Sequence, residues 1–263
     1  GLKDINRGLN LEVKPYGITG AQQSRPDLGL PTEAASFTAD AGVDIKYGLT
    51  SNLTLDVTVN TDFAQVEADN VQINLSRFNL FFPEKREFFL ERSGLFEHGA
   101  SGTTQTFFSR RIGLDENILA GARLTGQVGR VSLGVLNIET GGNLGQILGD
   151  SSTNNTVARV RTDLTPGATV GGIVTNRSDA FGYNRALGVD GLVRFGQNSI
   201  VSGWATQVWD SDFSSAAGEA FARLATDRVG GSLQLSSVGR NYRPALGFVR
   251  RRDYRLARSA FFY

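Results

Sequence analysis

The chain has 263 residues, with Gly 32, Phe 17, Pro 6, Cys 0, Met 0 and a formal net charge of +1. That glycine content, with 40% apolar residues, excludes disordered and collagen-like chains. The lack of cysteine removes disulfides, thiolate metal sites and thiol nucleophiles, and the near-neutral charge gives no general attraction to nucleic acid.

The longest unbroken apolar run is Ala260–Tyr263, whereas a helix that crosses a bilayer needs about 20 apolar residues. No signal peptide is there to read. Without methionine, the chain is expected to be processed or excised from something longer. At about 150 residues per domain the length allows one or two domains, and all-β barrels reach this size as one.

In chain order, the clearest pattern is 36–60. Phe37, Ala39, Ala41, Val43, Ile45 and Tyr47 alternate with Ser36, Thr38, Asp40, Gly42, Asp44 and Lys46. After turn residues at 48–52, Leu53, Leu55, Val57 and Val59 alternate with Thr54, Asp56, Thr58 and Asn60. Period-two alternation across a turn predicts a β-hairpin. Less pure alternation predicts strands at 9–16, 117–128, 131–139, 156–164, 168–177, 185–195, 199–209, 218–226, 229–238 and 253–263. These make about twelve strands, longer than the usual five or six residues and matched to the 9–11 of a tilted strand that crosses a bilayer.

Short turns at 48–52, 129–130, 165–167, 196–198 and 227–228 alternate with longer connections at 17–35, 61–116, 140–155, 178–184, 210–217 and 239–252. The alternation is unbroken if Gln105–Gly113 belongs to the long connection. This asymmetry is that of outer-membrane barrels, and it would place both ends of the chain on the periplasmic side. The polar faces hold Asp40, Asp44, Lys46, Asp56, Arg159, Arg161, Asp163, Asp190 and Arg194, the expected lumen-facing charges. A soluble β-sandwich also alternates, but here many apolar positions are Ala or Gly, such as Ala120, Ala122, Gly191, Gly203 and Gly231. Such faces fill a sealed core poorly, whereas lipid adapts to them. The expected fold is an all-β, antiparallel, up-and-down transmembrane β-barrel, or a large part of one, with residues 61–104 inserted as a plug or cap.

That insert concentrates aromatics and charges. Glu67, Asp69, Arg77, Glu84, Lys85, Arg86, Glu91, Arg110 and Arg111 are its plug or lumen candidates. Asn70 is compatible with capping a short helix to about Phe78, although Val71, Ile73 and Leu75 fit a strand equally well. Catalysis has little to stand on. His98 is the only histidine, and among Glu97, Gly99 and Ala100 a solvated loop residue is its ordinary role. Glu67, Asp69, Glu84, Glu87 and Glu91 could serve a glycosidase pair, or simply partner Arg77, Lys85, Arg86 and Arg92. A Ca²⁺ site from Asp62, Glu67 and Asp69 matches no EF-hand spacing. No catalytic residue, metal or cofactor is assigned.

KYGLTSNLTLDVTVNTDFAQVEAD (46–69), NLSRFNLFFPEKREFFLE (74–91), FFSRRIG (107–113) and LGFVRRRDY (246–254) resemble the bacterial outer-membrane barrel domain of unknown function that follows a carbohydrate-binding family-nine-like domain. The resemblance spans roughly 9–254 and makes 1–8 a linker from an upstream domain. It departs from the family at Glu87, where Pro is expected, and at Arg92, where Gly is expected. It implies an outer-membrane location, lipid as the principal partner, and glycan or oligosaccharide reached through the upstream domain. It also implies further strands past Tyr263. The expected function is a surface anchor or gated pore associated with glycan capture. The alternatives are a membrane-associated hydrolase that uses carboxylates in 62–91 and a soluble sandwich module.

Overall fold

The computed structural model describes residues 10–22, 36–60, 80–114, 116–142, 152–226 and 228–263. The elements in chain order are β1 (Leu11–Gln22), β2 (Ser36–Gly48), β3 (Leu53–Val59), α1 (Glu87–Leu90), β4 (Gly99–Ala100), β5 (Thr104–Gln105), β6 (Asn117–Val128), β7 (Val131–Gly141), β8 (Thr153–Thr165), β9 (Ala168–Asp179), β10 (Gly182–Phe195), β11 (Ser199–Asp210), β12 (Ser214–Ala225), β13 (Gly230–Val238), β14 (Phe248–Val249) and β15 (Tyr254–Phe262). Twelve of these strands form one antiparallel sheet in the order β1-β2-β3-β6-β7-β8-β9-β10-β11-β12-β13-β15, and β14-β5-β4 form a small second sheet.

The expected up-and-down order of about twelve long strands is therefore present. Among the described residues the sheet is open, with β1 and β15 at its two ends. The barrel expectation is met only as far as an all-β antiparallel wall. The linker 1–8, the hinted helix at 70–78 and part of the expected insert lie outside the described residues.

Two connections differ from expectation. The stretches 178–184 and 210–217 were to be longer links, but β9 meets β10 across Ala180-Phe181 and β11 meets β12 across 211–213. Asp179 explains the first: its Oδ1 accepts hydrogen bonds from the N–H groups of Phe181 (2.8 Å) and Gly182 (3.0 Å), an Asx turn that closes the hairpin tightly. In the second, the Asp210 N–H donates to the Phe213 carbonyl at 2.9 Å. The strict alternation of short and long links thus fails at these two places. Residues 104–111 make only β5 and a 3₁₀ turn at Ser109–Arg111, so they stay within the connection.

Register sorts the side chains into two faces. One carries the row Gly134, Arg159, Ile173, Gly188, Thr206, Ala217 and Val238, each paired to the next across the sheet. The core lies on this side, because Phe89, Phe96, Phe107 and Ile112 from the insert cluster with Leu136, Ile138, Val157 and Ile173 from the wall. The opposite face carries Val135, Ala158, Val174 and Leu187, and below them Leu133, Val160, Gly172, Val189 and Ala205. It is apolar and uncovered: Leu187 is 50% and Val189 57% exposed.

Candidate functional site

The site is the seam between the insert and the inner face of the sheet. The insert is fastened to the rim with the long connections through the small sheet. The β5 strand pairs with β14, and the Phe81, Phe108 and Phe248 rings pack with centroids 5.0–5.6 Å apart. From there it runs to the opposite rim, where Arg92 Nη1 donates to the carbonyls of Asn52 (3.3 Å) and Thr125 (3.2 Å). Two local conformations set its path. Glu87 opens α1, with Arg86 as its cap residue, and Arg92 holds φ 51° and ψ 28°. The first helical position suits proline and the left-handed one suits glycine. The sequence thus places Glu87 and Arg92 where local geometry would suit proline and glycine.

Beside β1–β3 and β6 the seam is ionic. Arg123, 2% exposed, donates from Nε (3.1 Å) and Nη2 (2.8 Å) to Asp56 Oδ2 and from Nη1 to the Glu91 carbonyl (2.9 Å). Its guanidinium lies 5.1 Å from the centroid of Phe88. Lys46 pairs with the Glu91 carboxylate, and Lys14 Nζ reaches Glu87 at 3.5 Å. Hydrogen bonding from Lys46 holds the Glu91 carboxyl below the usual carboxylate range. A cavity of about 120 Å³ remains here, lined among others by Lys14, Asp44, Lys46, Asp56 and Glu87. Thr58 donates to Asp44 Oδ1 at 2.5 Å on the same face.

Beside β7–β11 the seam is dry. Gly134 and Gly188 serve as sockets. A Cβ on Gly134 would stand 2.9 Å from Phe96 Cζ, and one on Gly188 would meet the His98 ring. His98 is 3% exposed, which corrects the expectation of a solvated loop residue: the backbone that follows it pairs into the small sheet and turns the ring toward the wall. Its Nδ1 is 2.9 Å from Thr106 Oγ1, which in turn is 2.9 Å from Thr206 Oγ1 and 3.4 Å from the Tyr242 hydroxyl. Its Nε2 faces Asp190 Oδ1 at 3.8 Å, and Arg159 holds the same carboxylate at 2.6 Å and 2.8 Å. Burial lowers the His98 pKa, the Asp190 charge works against this, and the Arg159 charge reinforces it. Burial thus favours the neutral imidazole.

The predicted residues divide as follows. Glu67, Asp69 and Arg77 lie outside the described residues, as do the proposed Ca²⁺ ligands and the side chain of Asp40. Lys46 pairs with Glu91 of the insert, and Asp44 and Asp56 line the cavity beside it. Arg159 and Asp190 meet the insert at the dry end. Arg161, Asp163 and Arg194 share that face by register but sit nearer the short-turn rim. Within the insert, Glu84 pairs with Arg86 rather than with a wall charge. Arg86 donates from Nε (2.8 Å) and Nη2 (2.7 Å) to Glu84, and onward to the Ile112 (2.6 Å) and Ser109 (2.7 Å) carbonyls. Burial opposes the Glu84 charge, but the Arg86 and Ser109 hydrogen bonds outweigh it and its pKa is lowered. A glycosidase acid needs the opposite shift. Lys85 N–H also donates to Glu84, at 3.0 Å. Arg110 donates to the Pro83 carbonyl (2.8 Å) and Arg111 to the Gly247 carbonyl (3.2 Å), so both fasten backbone.

Sequence reasoning missed Arg123, Tyr242 and the buried role of His98. Arg123 was legible, since it interrupts the apolar alternation of Ala120, Ala122 and Leu124 from the polar side. Tyr242 carried no such signal.

Residues 8–124 match the family described as Domain of unknown function (DUF5916). No curated protein and no solved structure matches the chain. The matched stretch takes in β1–β3, the insert and most of β6, so this part of the chain, which includes the ionic half of the seam, is similar to a family without an assigned activity.

Proposed function

We propose that the sheet is the wall of an outer-membrane β-barrel, whole or in large part, and that the insert is its plug. The protein would then serve as a surface anchor or gated pore. One observation carries the reading: the open face of the sheet is apolar, while the covered face holds charges beside its core. The charges Asp56, Arg123, Arg159 and Asp190 stand on the covered side, while Val, Leu and Ala cover the open side. The eleven strands from β1 to β13 in sheet order leave out β15, which carries Arg255 on the open face. At about 4.8 Å each they span about 53 Å, and Leu187 to Phe195 rises about 20 Å once tilted. The product is on the order of 1,000 Å², more than the largest apolar patch of a typical soluble monomer. A polar outer row, Asn137, Thr156, Asn176 and Arg185, bounds the band, with Trp209 next in line, as a headgroup-level girdle would. The association with glycan capture rests on the family resemblance alone.

The two tryptophans test the wall. Trp209 is on the outer face and Trp204 on the inner. In liposomes that contain brominated lipid, the Trp204→Phe chain should lose most of its fluorescence and the Trp209→Phe chain little. Equal quenching of both, or none of Trp209, would end the membrane reading. Planar-bilayer conductance before and after deletion of residues 80–104 then separates pore from anchor.

A further inference from the structure

Below the row that seats the insert, the inner face of β8–β15 becomes rich in arginine. Arg161, Arg194, Arg223 and Arg258 share this face by register and all are exposed. Arg194 and Arg223 both pair with Ile200, from either side, which puts their backbones about 10 Å apart. Ser232 lies opposite Arg223, and Gln234 opposite Arg258. Among the described residues, the carboxylates of the same field are Asp163 and, one row higher, Glu219, which accepts a hydrogen bond from Gln234 Nε2 at 2.9 Å. Asp190 beside them is neutralised by Arg159. Among the described residues, Arg161, Arg194 and Arg258, with Arg223 beside them, outnumber the two carboxylates and leave this end of the inner face positive. The ionic end of the seam, by contrast, matches Lys14, Lys46 and Arg123 with Glu87, Glu91 and Asp56.

We propose that this field is an anion-collecting vestibule on the short-turn side of the plug, for solutes that bear carboxylate or phosphate groups. Guanidinium forks match the oxygen geometry of both groups, and a concave wall of low dielectric concentrates the field of its charges. The inference rests on the barrel reading, because only an enclosing wall would focus that field.

The chain has no cysteine, so Ser232→Cys places a single thiol between Arg223 and the β15 strand. Its modification rates are measured with an anionic and a cationic methanethiosulfonate of similar size, each normalised to a free model thiol. A potential of order one kT per charge gives the anionic reagent an advantage of about sevenfold. Inorganic phosphate should slow that reaction more than sodium chloride of equal ionic strength. Added Arg194→Glu, Arg223→Glu and Arg258→Glu should bring the ratio below one, and the milder Arg223→Gln should reduce it by about half. A ratio at or below one in Ser232→Cys, a ratio indifferent to charge reversal, or a thiol that neither reagent reaches would each overturn the vestibule. A quenched Trp209 with a ratio of one sinks this inference alone, whereas an unquenched Trp209 sinks the wall on which it rests.

Discussion

The insert touches the wall in two regions built on different physics. Against β1–β3 and β6 it is held by solvent-reached ion pairs of Lys14 and Lys46 with Glu87 and Glu91, and by the hydrogen bond from Arg123 to the Glu91 carbonyl. Arg123 itself is paired with Asp56 within the wall. Against β7–β11 it is held by aromatic and aliphatic packing into glycine sockets around a buried histidine. Burial is nearly insensitive to salt, while exposed ion pairs are weakened by it and cost little to break. The contrast implies an insert with one fixed end and one that responds to solution conditions.

The largest expected effect lies where the ionic region is driest. Arg123→Ala would strand Asp56 at low exposure without its cation, a loss of about 3–5 kcal/mol, read as the denaturant midpoint in detergent. A cost under about 1 kcal/mol would mean that the buried Arg123–Asp56 pair contributes little to the wall. Next, Gly134→Ala forces a methyl group against the Phe96 ring, a cost of about 1–3 kcal/mol. A neutral outcome would show that the dry region is loosely packed.

Acid should then distinguish the two regions. His98 has a lowered folded pKa, so the unfolded chain takes up its proton first. Stability from this group is complete above the ordinary value of about 6.5 and declines as pH falls below it. His98→Gln should flatten that decline. In the ionic region Glu91, held low chiefly by the Lys46 hydrogen bond, contributes above the ordinary carboxylate value and loses its contribution as pH falls through its folded value. The pH dependence of unfolding, followed with and without the histidine change, checks both. The smallest effect is expected of Lys46→Ala, under about 1 kcal/mol and shrinking with added salt. A larger, salt-insensitive loss would place this pair with the buried ones and erase the contrast.

Much of the wall was legible because outward Val, Leu and Ala alternate with inward polar residues over whole strands. The turns at Ala180-Phe181 and 211–213 were misjudged because polar residues of continuing strands, such as Asn184 and Ser214, look like loop composition. The seam was legible only in part. Register places Asp44, Lys46 and Asp56 on one face, but which of them the insert meets depends on a path that no periodicity records. The glycines show the limit best. In the sequence Gly134, Gly171 and Gly188 look like the small outward residues Gly191 and Gly203, yet they stand inward and make room for Phe96, Arg159 and His98. Arg92 pays a left-handed conformation of about 1 kcal/mol and regains two carbonyl partners across the seam, so the strained position is compensated within the fold.

The polar outer row from Asn137 to Arg185 also sets a length scale. With only about 20 Å of apolar strand beneath it, a wall that meets hydrocarbon suits a thin bilayer such as the bacterial outer membrane. A thick bilayer would drag amide and guanidinium groups below the headgroups or pucker the lipid around the wall. Hydrophobic mismatch would then bias the chain toward short-tailed lipids, and its refolding yield should rank host membranes by thickness before any receptor or charge is involved.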